Sequence, residues 1–117
     1  MAATTQEVLN HHLDTLGKGD LAGVMADYSP ESRLITPNGM LKGPEVIRQL
    51  FAKLFKEFAK PGASFQMLRQ DVDGDIAYIL WKAETADNRY EIGTGTFVVK
   101  DGKIVTEAFA GKITPKV

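Results

Sequence analysis

The residues best suited to proton chemistry near neutral pH are two adjacent histidines, His11 and His12. Imidazole is the side chain whose ordinary pKa puts its charge change between about pH 5 and 8. On a helix, Val8, His12 and Leu16 fall on one face, which turns His12 inward, while His11 goes with Glu7 and Asp14 to the wet side. An inward imidazole can serve as general base, general acid or donor to a developing oxyanion. The alternative is a neutral, buried histidine bonded to Tyr28 or to a backbone carbonyl. A metal held by both histidines is excluded, because adjacent helix residues point about 100° apart. No metal site and no cofactor are expected.

Other polar residues have weaker claims. The Tyr28 hydroxyl is able to donate to a ligand carbonyl or simply to cap the core. Thr36, Thr94 and Thr96 are either hydrogen-bonding pocket residues or ordinary strand threonines. Phe51, Phe55, Phe58, Trp81, Phe97 and Phe109 supply an aromatic interior, a few of them for a ligand. The strand face of Trp81 is left open, because residues 76–81 are apolar on both faces. Arg69, Asp71, Lys82, Glu84 and Arg89 read as cross-strand surface charges. Glu107 is a lone acid in a strand of small and apolar residues, and it shares its strand parity with Phe109. That parity assigns it to a dimer face instead of a pocket.

The elements that must position these groups follow from the periodicity. Thr4 or Thr5 caps a helix whose stripe is Val8, Leu9, His12, Leu13 and Leu16, and Gly17 and Gly19 end it. Asp20 caps a short helix with Leu21, Val24 and Met25, and the chain turns at Ser29-Pro30. Residues 32–36 read as a short strand, and Pro37-Asn38-Gly39 as a turn into Met40-Leu41. Gly43-Pro44-Glu45 opens a third helix running to about Ala59, with proline in the first turn. Beyond Pro61-Gly62 the period becomes two. Strands are predicted over 64–72, 76–85, 90–100 and 103–113, with Asp73-Gly74 and Asp101-Gly102 as tight hairpin turns. Helices followed by hairpin-linked strands give an α+β domain, with three helices on a curved antiparallel meander. Three helices cover only one sheet face, so a homodimer through the open face is expected.

Composition narrows the partners. The 117 residues suit one domain, 1–117. Net charge is −1 with the basic residues spread along the chain, which argues against nucleic acid. Without cysteine there is no disulfide or thiolate chemistry, and reducing cytosol fits. The N-terminal residues lack a basic segment before an apolar run, so no secretory signal is expected. No stretch approaches the ~20 apolar residues of a membrane span. A soluble, cytoplasmic protein is the expectation.

Several runs together resemble the nuclear-transport-factor-2-like superfamily, in its SnoaL-like and ketosteroid-isomerase-like branches. They are Gly19-Asp20-Leu21, Ala26-Asp27-Tyr28, residues 34–39 (LITPNG), residues 43–47 (GPEVI) and residues 98–105 (VVKDGKIV). The resemblance implies a cone-shaped fold around an apolar pocket, with Asp27 and Tyr28 near its mouth. Isomerases, cyclases, hydrolases and plain binding or dimerisation domains share that fold. The ketosteroid isomerase's first-helix tyrosine falls at His12, its proton-shuttling aspartate at Thr36, and its oxyanion acid at or next to Gly95. One supporting tyrosine falls at Phe51, and another is retained as Tyr28. Threonine is no base at neutral pH and glycine no acid, and such groups contribute roughly 10²–10⁴-fold each. Ketosteroid isomerase activity is therefore rejected.

Two functional expectations remain. One is a small-molecule protein with isomerase, lyase or hydrolase activity through His12, acting on a compact apolar substrate. Its pocket would be lined by Tyr28, Thr36, Phe51, Phe55, Trp81, Gly95 and Phe97. The other is a non-catalytic ligand-binding or dimerisation domain.

Overall fold

Thr4 starts the first helix with a reciprocal pair of hydrogen bonds: Glu7 N–H donates to Thr4 Oγ1 (3.1 Å), and Thr4 N–H donates to Glu7 Oε1 (2.9 Å). The computed structural model describes residues 2–116, so both ends of the expected 1–117 domain lie outside the described residues. Helix α1 spans Thr5–Lys18 and closes on Gly19, whose φ of 66° is left-handed and therefore suits glycine. Asp20 caps α2 (Leu21–Met25), accepting from Gly23 N–H at 3.0 Å. Helix α3 spans Pro44–Phe58 with its proline in the first turn.

The strands are β1 (Tyr28–Thr36), β2 (Gly39–Lys42), β3 (Ser64–Asp73), β4 (Ile76–Glu84), β5 (Asn88–Lys100) and β6 (Lys103–Pro115). They form one sheet in the order β2-β1-β6-β5-β4-β3. Strands β3 to β6 make the expected antiparallel meander, and β1 joins it in parallel beside β6. Strand β1 begins at Tyr28, four residues before the expected start, and shifts register between Tyr28 and Arg33. The edges β2 and β3 do not meet, so the curved sheet stays unclosed. No helix of the described residues is long and apolar enough to cross a membrane.

The inner sheet face carries cross-strand rows under the helices. One row runs Leu34, Glu107, Phe97, Ala77; the next runs Phe109, Gly95, Ile79; a third runs Gly93, Trp81, Met67. Helix α1 packs on β4 and β5 with buried Val8, Leu9 and His12. Helix α3 packs on β1, β2 and α2, with buried Ile47 and Phe51. At one end Val8, Leu9, Ala77, Phe97, Val99 and Ile104 close together and leave no room for a water molecule.

The rows settle two sequence readings. Trp81 lies on the inner face, against Phe109 (6.1 Å between ring centres) and Phe65 (5.6 Å). Glu107 shares a face with Phe109, as expected, but that face is the interior, and the assignment to a dimer face is corrected. A buried carboxyl is tolerated there because Tyr28 donates a hydrogen bond to it. The outer face instead presents the row Ile35, Ala108, Thr96, Tyr78, with Ile76 about half exposed beside it.

Candidate functional site

The corner between α2 and β1 is clamped to the start of β6. Ile104 N–H donates to the Asp27 carbonyl (2.7 Å), and Ser32 Oγ donates to the Ile104 carbonyl (2.5 Å). This clamp brings Asp27 and Tyr28 under α1 and beside the middle of β6. His12, wholly buried, sits edge-on to the rings of Tyr28 (5.6 Å), Phe97 (5.6 Å) and Phe51 (6.0 Å).

A polar chain runs through this aromatic setting. His12 Nδ1 lies 3.2 Å from Asp27 Oδ2, and His12 Nε2 lies 3.5 Å from the Tyr28 hydroxyl. Tyr28 in turn donates to Glu107 Oε1. His11, half exposed, reaches the other Asp27 oxygen at 2.8 Å through its Nδ1. The two histidines diverge on the helix as expected, yet both reach one carboxylate, each through its own oxygen. Among the described residues no group of three His, Asp or Glu is placed to hold a metal ion.

Burial acts on both ends of the Tyr28–Glu107 pair. It pushes the Glu107 carboxyl up, against the opposing pull of His12 and of the Tyr28 hydrogen bond. It also holds the Tyr28 phenol well above its ordinary value, with Glu107 and then Asp27 adding to the effect. Tyr28 therefore remains a hydroxyl, and the Glu107 carboxyl holds its proton more tightly than an exposed one does. Such a chain can pass protons along its length or hold a neutral donor at its end.

The expected site residues divide into three groups. His12, Tyr28, Phe51 and Phe97 come together in the buried cluster. Phe55 follows Phe51 along α3 (6.3 Å), and Phe55, Trp81 and Phe109 are half-buried, continuing the aromatic interior toward the open end. Thr36 stands apart: its hydroxyl donates to the Gly39 carbonyl (2.9 Å) and accepts from Asn38 N–H (3.2 Å) in the β1–β2 turn. Gly95 is buried between Ile79 and Phe97, and a Cβ there would come within 3.1 Å of Ile79 and 3.2 Å of Phe97. The position that the ketosteroid isomerase resemblance gave to an acid is too crowded for one unless these neighbours shift.

Sequence reasoning put Asp27 only near a pocket mouth and Glu107 on a dimer face, and gave neither a contact with His12 or Tyr28. The signal for Asp27 was its place beside Tyr28 after the short helix. The signal for Glu107 was its isolation in an otherwise acid-free strand.

At the open end a second polar group fixes the sheet to α3. Glu57 accepts from Thr85 Oγ1 (2.6 Å), Asn88 Nδ2 (3.0 Å) and the Tyr90 hydroxyl (2.9 Å). An open groove of about 670 Å³ lies nearby, bordered by Phe65, Lys82, Arg89 and Tyr90 among others. None of the residues expected to meet a ligand borders it.

The model of the SnoaL-like domain matches residues 9–107, from the first helix through Glu107. The chain belongs to the SnoaL-like domain family. No curated protein matches it. Among solved structures, this SnoaL-like chain resembles the epoxide hydrolase/cyclase-like enzyme SalBIII, of pyran ring formation in polyether salinomycin, with a TM-score of 0.79 at 12% identity. That likeness covers 96% of this chain and 95% of the other. A candidate ketosteroid isomerase from Kribbella flavida DSM 17836 gives a TM-score of 0.75 at 18% identity, over 92% and 77% of the two chains. A candidate polyketide cyclase from Sinorhizobium meliloti gives 0.71 at 20%, over 88% and 93%. At such identities the likeness concerns the fold.

Proposed function

We propose that this SnoaL-like protein binds a compact, apolar small molecule and acts on it by acid–base chemistry of the isomerase, lyase or hydrolase kind. The observation that carries the reading is the placement of His12. Its two ring nitrogens lie against Asp27 and Tyr28, inside an aromatic shell. Asp27 orients and charge-balances the imidazole, and Tyr28 transmits its proton traffic. Because His12 is enclosed, it works through Tyr28 instead of by direct contact. The ligand would occupy the space among Phe51, Phe55, Trp81, Phe97 and Phe109, with Tyr28 and Glu107 at its floor. Solved structures of this fold include proteins described as an epoxide hydrolase/cyclase-like enzyme and a candidate polyketide cyclase, which fits the reading.

A second reading is favoured by one observation. Among the described residues no fully enclosed polar side-chain atom lacks a hydrogen-bond partner, so the enclosed atoms around His12 are satisfied without a ligand. On that reading the chain is a non-catalytic binding or dimerisation domain. For either reading we propose a homodimer through the outer sheet face around Ile35, Ile76 and Tyr78.

Thermal shift with neutral carbonyl compounds, lactones and epoxides separates the two readings, with His12→Ala measured in parallel. A ligand at 100 times its Kd adds about 2.7 kcal/mol of stability. The first reading expects a stabilising ligand whose effect shrinks in His12→Ala, and turnover of that ligand by wild type alone. Absence of stabilisation by every class supports the association domain.

A further inference from the structure

Asp27 meets two histidines at once. His11 Nδ1 lies 2.8 Å from its Oδ1, and His12 Nδ1 lies 3.2 Å from its Oδ2. An ionised carboxylate only accepts, so each imidazole donates its Nδ1 proton and keeps Nε2 as the nitrogen that gains or loses charge. The surroundings of the two rings differ. The His12 side chain is 1% exposed, with Nε2 turned to the Tyr28 hydroxyl, whereas the His11 side chain is 49% exposed.

We propose that His11 is a positioning residue for His12: the two compete for the single negative charge of Asp27, and a charged His11 keeps His12 neutral. This concerns the regulation of the site described above and rests on the acid–base reading. Asp27 balances one imidazolium. A second would leave a net positive charge enclosed by the Tyr28, Phe51 and Phe97 rings. Water supports a charge on His11 and does not reach His12, so protonating His11 takes the carboxylate from its neighbour. His12 then keeps a bare Nε2, able to accept from Tyr28. With His11 neutral, Asp27 is free to balance His12, whose Nε2 then carries a proton toward the Tyr28 oxygen. The proton that switches His11 comes from water and returns to it.

The other groups around the pair are already engaged. On α1, Glu7 bonds the Thr4 cap and Asp14 pairs with Lys18. The α2–β1 corner brings Asp27 and Tyr28, and the Lys103 ammonium beside them donates to the Ala26 carbonyl. From β6, Glu107 faces His12 behind Tyr28, and burial makes it hold its proton more tightly than an exposed acid. Helix α3 and strand β5 offer His12 the uncharged rings of Phe51 and Phe97.

The test reads the ring nitrogens of both histidines by nuclear magnetic resonance of the labelled protein, without ligand, from about pH 5 to 8. His11→Asn keeps a donor for Asp27 and carries no charge. His11→Lys carries a permanent charge across this range. At one pH, the ratio of charged to neutral His12 should be about tenfold higher in His11→Asn than in His11→Lys. Wild type should pass from the first behaviour toward the second as pH falls. A histidine that only braces the helix would leave this ratio alone.

Equal ratios in the two variants overturn the proposal. Wild type gives an independent check if a variant fails to fold: the His12 curve should bend at the pH where His11 titrates. Two unlinked single-step curves sink the proposal. Turnover assays with lactones and epoxides judge the acid–base reading separately. Coupled histidines without turnover support the competition and remove the reading, whereas turnover with uncoupled histidines removes only the role of His11.

Discussion

The Tyr28 hydroxyl donates to the Glu107 carboxyl across 79 residues of sequence, joining the first residue of β1 to the middle of its parallel neighbour β6. This bond links the helical corner that carries Asp27 to the sheet that forms the floor of the interior. Removing the phenol oxygen in Tyr28→Phe leaves Glu107 without its donor, at an expected cost of about 1–3 kcal/mol. In a double-mutant cycle with Glu107→Leu the two losses should not add, with a coupling of about 0.5–3 kcal/mol. Urea denaturation of the four proteins measures it, and additive losses would mean the bond contributes nothing.

Glu107 should also give stability a particular pH slope. Its carboxyl is held above the ordinary value in the folded state, first by burial, so the folded protein binds the proton more tightly than the unfolded chain. Its contribution is then most favourable below the unfolded value of about 4.3 and is lost as pH rises through the folded value. Comparing wild type with Glu107→Gln over a pH series of denaturation curves isolates the effect. The glutamine variant should gain on wild type as pH rises.

Glu57 carries the opposite sign. Burial pushes its carboxyl up, but hydrogen bonds from Thr85, Asn88 and Tyr90 together outweigh this and hold it below its ordinary value. Its stabilisation is present above the unfolded value and is lost as pH falls through the folded one. Glu57→Gln should therefore flatten the acid side of the stability profile. A profile that keeps its acid slope in this variant would show that other carboxylates set it.

The proposed homodimer predicts a different response. Ile35 and Ile76 are exposed on the outer face, whereas Phe51 and Phe97 on the inner side are buried. Ile76→Lys should shift sedimentation from dimer toward monomer while leaving the far-ultraviolet circular dichroism intact. A wild-type chain that sediments as a monomer at all concentrations would end that proposal.

The helices were legible because their signals are local: Thr4 with Glu7, Asp20 with Gly23, and Pro44 at a helix start each fix a boundary within one turn. The inward turn of His12 followed from the same helical period. The facing of strand residues was harder to read, since alternation separates two faces without saying which is inside. Glu107 and Phe109 were correctly put together, and only the three-dimensional cover of α1 and α3 makes their face the interior. Asp27 meets His11 and His12 across 16 and 15 residues, through a corner whose placement depends on β6, and no local pattern encodes that meeting. Thr36 shows the converse: its side-chain chemistry suited a site, but a turn two residues away claims its hydroxyl.

A ligand lying over the Tyr28–Glu107 floor is read directly by nuclear magnetic resonance of the labelled protein during titration with α-tetralone, an apolar bicyclic ketone. The largest shifts are expected at the Trp81 indole, Phe109, Tyr28 and the His12 ring, with the outer face silent. Shifts confined to Lys82, Arg89 and Tyr90 at the open groove, or to Ile35 and Ile76, would contradict it.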